Sequence, residues 1–81
     1  MNQIEQAIAL LTRITEDKTV PRNIREIASK AKQTLNDKTK ELNVRIDTVI
    51  QLFDEVNDDP NMPLYTRTQI WNVISLLESI R

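Results

Sequence analysis

The sequence predicts an all-α fold: four antiparallel helices forming an up-and-down bundle, built as two related hairpins. Three observations carry that expectation. Apolar residues recur at i, i+3 and i+4 along four separate stretches, the rhythm of helices that each bury one face. The chain has no glycine, so turns that require positive φ are excluded and the connections fall to proline, asparagine and aspartate. Finally, residues 1–39 set over 43–81 without a gap pair Ile4 with Ile46, Ile8 with Ile50, Leu10 with Leu52, Asp17 with Asp59, Pro21 with Pro63, Arg25 with Arg67 and Leu35 with Leu77. These identities lie on the apolar stripe and at the turn, where a hairpin repeated at 42 residues needs agreement.

The first helix is expected over 3–15, with Ile4, Ala7, Ile8, Leu11 and Ile14 as its buried stripe and Leu10 widening it. The second spans 21–36. Pro21 opens it, because proline has no N–H to leave unpaired and its φ is already helical. Its inner face, Ile24, Ile27, Ala28, Ala31 and Leu35, is rich in small residues and predicts a close approach by a neighbour. The polar run Asn36 to Glu41 is expected to be an exposed connection between hairpins, and Asn43 to cap the third helix at 43–57. The fourth, 63–80, starts at Pro63 and carries the widest apolar arc, which implies more than one neighbour. One domain, 1–81, results, with hairpin one at 1–38 and hairpin two at 43–81.

Composition narrows the chemistry. There is no cysteine and no histidine, hence no disulfide, no thiolate or imidazole metal site and no Ser-His or Cys-His nucleophile pair. The absence of glycine also removes Gly-rich phosphate loops. No catalytic residue, metal ligand or cofactor site is expected. No apolar run is long enough to span a membrane, and a cytoplasmic protein is expected. Charge is uneven: residues 1–40 hold eight Lys/Arg against five Asp/Glu, and residues 41–81 hold three against seven, an asymmetry suited to orienting copies head to tail.

Four groups of residues invite a functional reading. Asp17 with Arg25 and Asp59 with Arg67 recur at the same spacing in both hairpin corners, and the expected role is a structural clasp, bidentate or bridging to carbonyls. Arg22, Arg25, Lys30 and Lys32 give the second helix a basic face without interleaved aromatics, read first as solvated and secondly as a contact for RNA or an acidic protein surface. Asp54, Glu55, Asp58 and Asp59 lack the glycine and final glutamate of a calcium loop and read as a solvated helix end. Met62, Leu64, Tyr65, Arg67 and Trp71 gather at the second corner. A single tryptophan in a small chain is more often core than interface, yet this corner is the candidate partner patch.

The stretch Leu10 to Leu35, with Asp17, Pro21, Ile24-Arg25, Ala28 and Ala31 in register, resembles the hairpin of HEAT-type helical repeats, which implies a binding scaffold without catalysis. Two such hairpins are fewer than a solenoid needs, so the pair must close on itself or dimerise. Val20 to Arg25 (V-P-R-N-I-R), Asp59 to Pro63 (D-P-N-M-P) and the run from Tyr65 to Arg81 are similar to the archaeal group known as uncharacterised protein family one-four-seven. That resemblance covers nearly the whole chain. It implies an archaeal cytosolic four-helix bundle and brings no activity, cofactor or catalytic residue with it. The function expected is therefore a non-enzymatic protein–protein interaction or self-association module, partnered by an unknown protein or by itself. An RNA- or ribosome-associated factor is the alternative.

Overall fold

A computed structural model describes residues 2–81, in which four helices follow one another: α1 (Gln3–Glu16), α2 (Arg22–Asn36), α3 (Leu42–Asp54) and α4 (Leu64–Ile80). Each exists for the reason its periodicity gives. Ala7, Leu11 and Ile14 are the buried positions of α1, and Ile24, Ala28, Ala31 and Leu35 those of α2. Ile46, Val49 and Phe53 do the same in α3, and Thr66, Ile70, Val73 and Leu77 in α4. Asn2 caps α1, its side chain accepting the Glu5 N–H at 2.8 Å.

Side-chain ties fix the directions. Gln3 donates to Ser79 at 2.8 Å at one end of the bundle, while the Tyr65 hydroxyl donates to Asp17 at 2.8 Å at the other, so α1 and α4 run antiparallel. Arg81 pairs with Asp47 on α3, and Asn23 on α2 donates to Asp59 beyond α3 at 3.0 Å. Helices adjacent in this cycle pack together, and the diagonals α1/α3 and α2/α4 stay apart. The radius of gyration is 11.7 Å, which matches the value of about 11.7 Å expected for one compact domain of this length rather than an open array.

Burial repeats at the 42-residue interval. Ala7/Val49, Leu11/Phe53, Ile14/Val56, Val20/Met62, Ile24/Thr66, Ala28/Ile70, Ala31/Val73 and Leu35/Leu77 are buried at both positions. The two hairpins nevertheless pack differently. α2 lies close along α1, with the small side chains Ala28 and Ala31 buried in its inner face; Ile70 and Val73 hold those places in α4, and the α3/α4 seam is the thinnest of the four. α4 instead packs mainly on α1.

Several boundaries differ from expectation. Asn43 does not cap α3: it sits inside the helix, exposed, and the cap is Glu41, which makes no side-chain capping bond. α3 ends at Asp54, and residues 55–58 form turns, because the chain must already bend toward the Asp59 corner. Pro21 and Pro63 occupy the cap rather than the first turn, with ψ 147° in both, where the ring again removes an N–H that would lack a partner.

Candidate functional site

The corners are where polar side chains converge, and there are three of one design. In each, an aspartate N–H donates to the carbonyl three residues back (Ile14, Thr34, Val56), and the aspartate carbonyl accepts from the N–H three residues on (Val20, Lys40, Met62). The carboxylate accepts the N–H two residues on: Thr19 at 2.9 Å, Thr39 at 3.1 Å and Asn61 at 2.8 Å. Eight residues after each aspartate stands an arginine. Arg25 donates from Nε to the Val20 carbonyl at 3.0 Å, and Arg45 from Nε to Lys40 at 3.1 Å and from Nη1 to Leu35 at 2.8 Å. Arg67 donates to the carbonyls of Asn57 and Asp59.

The physical reason lies in the missing glycine. A helix end leaves carbonyls without partners, and a common solution places a left-handed residue after it. No described residue has positive φ. Here the aspartate takes an extended conformation (φ −87°, ψ 106° at Asp17; φ −82°, ψ 91° at Asp37) and its N–H returns to the helix end, while the arginines bond carbonyls of the turns, Arg45 also reaching the helix-end carbonyl of Leu35. Arg25 thus holds one carbonyl and Arg67 two, and among the described residues neither makes a direct ion pair with Asp17 or Asp59. The third copy, Asp37 with Arg45, falls in the segment expected to be a plain exposed connection. Its signal was the spacing D-K-T-x5-R, shared by Asp17 to Arg25 and Asp37 to Arg45; Glu41 in place of a proline concealed it.

Two corners meet at one end of the bundle and exchange bonds reciprocally. Tyr65 reaches Asp17, with Thr19 also in contact with the Tyr65 hydroxyl, and Asn23 reaches Asp59. Asn23 and Tyr65 are themselves 42 residues apart, so equivalent positions lock opposite corners. These contacts hold the carboxyls below their ordinary 3.8: at Asp17 the Thr19 hydroxyl first, then the Thr19 N–H and Tyr65; at Asp37 the Thr39 hydroxyl, then the Thr39 N–H; at Asp59 the Asn23 amide, then the Asn61 N–H.

The candidate partner patch is dispersed by the fold. Met62 is buried at 7% exposure, joining the core at the position of Val20, and leaves the patch. Arg67 is engaged in its corner, and Tyr65, though 49% exposed, commits its hydroxyl to Asp17. Leu64 at 75% and Trp71 at 54% remain open to solvent, seven residues apart on one face of α4. Trp71 is thus a surface residue, against the core placement usual for a lone tryptophan, because Ile70 and Val73 already fill the inward positions beside it. The basic face is also reduced: Arg25 turns to Val20, Arg22 pairs with Glu26 at 3.3 Å, and Lys32 is half-buried. Among the described residues no cluster of His, Cys, Asp or Glu is placed to hold a metal ion, and no helix is long and apolar enough to cross a membrane.

Four short helices closed by repeated Asp–Arg corners define a small all-α domain. The chain belongs to the uncharacterised protein family UPF0147, whose profile matches residues 1–80. It is 48% identical over 79 residues to a UPF0147 protein of Metallosphaera sedula, spanning 98% of this chain and 89% of that one. To a UPF0147 protein of Methanocaldococcus jannaschii it is 49% identical over 80 residues, spanning 98% and 86%. The crystal structure of a UPF0147 protein from Thermoplasma acidophilum superposes with a TM-score of 0.92 at 34% identity, covering 98% of this chain and 93% of that one. The crystal structure of the unknown-function protein MMP1188 gives 0.92 at 48% identity, covering 98% and 90%. The relatives are archaeal, and the family has no assigned function.

Proposed function

We propose that the chain is a non-enzymatic, cytoplasmic protein–protein interaction module whose contact surface is the outer face of α4. One observation carries this reading: Leu64 and Trp71 stand exposed where the other hairpin, at the positions 42 residues earlier, has Arg22 and Ser29. The fold accommodates polar residues at those places, so the two apolar side chains answer to something outside the domain. A leucine and a tryptophan two turns apart on a rigid helix form the kind of anchor pair on which partner helices dock. The scaffold role implied by the HEAT-type pattern agrees with it.

The test is affinity capture of the tagged chain from its own cells, at low and moderate salt, beside Trp71→Ala. A protein retained at moderate salt and lost from the variant is the expected outcome. Capture of ribosomal RNA that disappears with salt, and with charge reversal at Lys30 and Lys32, would replace this reading with nucleic-acid binding.

A further inference from the structure

We propose that the partner of the α4 face is a second copy of this chain, and that Trp71 of one copy seats in the groove between α1 and α4 of the next. The inference rests on the interaction-module reading and names its partner.

The groove is the receiving half. Ala9, Leu10 and Leu76 form its apolar floor, Gln6 and Arg13 its polar edge, and it is an open, shallow groove of about 330 Å³. Its counterpart on the other hairpin would be lined by Gln51, Leu52, Thr34, Thr48 and Glu55, polar and acidic, so this surface too is peculiar to one half of the molecule. Arg13 is exposed, and among the described residues its guanidinium has no hydrogen bond or ion pair. A guanidinium beside an apolar slot suits the face of an indole, which it attracts through the ring quadrupole.

Charge specifies the direction. Among the described residues, every cation of residues 41–81 is already engaged: Arg45 and Arg67 in corners, Arg81 with Asp47. Glu41, Asp54, Glu55, Asp58 and Glu78 have no such partners. In residues 1–40 the imbalance reverses, with Arg13, Lys18, Lys30, Lys32 and Lys38 unpaired against Glu5 and Glu16. Glu78 lies two turns beyond Trp71 on the same face of α4, and Asp54 two turns beyond Asp47 on the α3 flank that faces α4. The donating surface is therefore an exposed tryptophan on the acidic half of the chain, with the free carboxylate of Glu78 two turns along the same helix face, and the receiving surface an apolar slot edged by a free guanidinium. The two are complementary to each other and neither is complementary to itself, which gives a heterologous contact between copies rather than a Trp71–Trp71 stack.

Sedimentation velocity of the full chain at micromolar to hundred-micromolar concentration tests this, with circular dichroism confirming that each variant folds. The wild type should associate, and Trp71→Ala and Arg13→Glu should each weaken association at least tenfold. An equimolar mixture of the two variants should recover mixed dimers, since one intact tryptophan then meets one intact groove. Ala9→Glu serves as a second groove variant. A wild type that stays monomeric throughout, or variants that fail to complement, would overturn the inference. Loss with Trp71→Ala but not with either groove variant would overturn the groove while leaving the α4 face as an interaction surface. The module reading itself fails only if the capture experiment also yields nothing dependent on Trp71.

Discussion

Among the described residues Thr66 is the one buried polar residue of the core, fully enclosed at the position matching Ile24, and its hydroxyl has no hydrogen-bond partner there. A buried hydroxyl without a partner costs roughly 1–3 kcal/mol. Thr66→Val keeps the shape and removes the group, and should raise stability by about 1 kcal/mol in urea denaturation; an unchanged or lower midpoint would show that the hydroxyl is satisfied in solution. Arg45 makes the opposite case, since its fork serves carbonyls of both Leu35 and Lys40. Arg45→Ala should cost about 1–2 kcal/mol, and Arg45→Lys should restore little, because an ammonium lacks the planar fork that spans two carbonyls. The corner aspartates set the response to acid. Their folded-state values lie below the ordinary 3.8, so their contribution is present in full above that value and is lost as pH falls through the lowered ones. The unfolding midpoint should decline at acid pH, and the triple variant Asp17→Asn, Asp37→Asn, Asp59→Asn should decline less steeply; parallel curves would remove the corners from the account.

At the scale of the helix, the equivalent core places are filled differently: Ala28 and Ala31 are fully buried in α2, and Ile70 and Val73 hold the same positions in α4, where α3 and α4 are loosely joined. Ala28→Ile should overpack this fully buried position and cost about 1–3 kcal/mol, although isoleucine is the residue found at the same place in α4. A neutral result in thermal unfolding would mean that α2 can shift to admit the larger side chain. The helices and their inward stripes were legible in the sequence because periodicity is a local property. The corner at Asp37 was not, since proline and not the Asp–Arg spacing marked the other two. Asn43 misled for a related reason: a capping residue type one position beyond the true start looks the same in sequence, and the start is set by the corner before it.

The whole molecule is asymmetric in a way that its repeat conceals. Paired burial 42 residues apart gives one core, yet the exposed large apolar side chains among the described residues, Val44, Leu64, Tyr65 and Trp71, all belong to the second hairpin. If copies join through this acidic and apolar face, association should weaken when salt rises from low to physiological strength without vanishing, since exposed charges are screened and apolar burial is not. Sedimentation at two salt concentrations checks this, and complete loss with salt would mark a contact made by charge alone. Sequence by itself determined the all-α class, the four helices and the lack of cysteine and histidine side chains, because composition and periodicity act residue by residue. Only tertiary structure decided that Met62 is core while Trp71 is surface, that Arg25 and Arg67 bind carbonyls, and that Asn23 and Tyr65 cross to each other's corners. Those outcomes depend on which faces are already filled and on which chain ends meet in space, and neither is written in the local pattern.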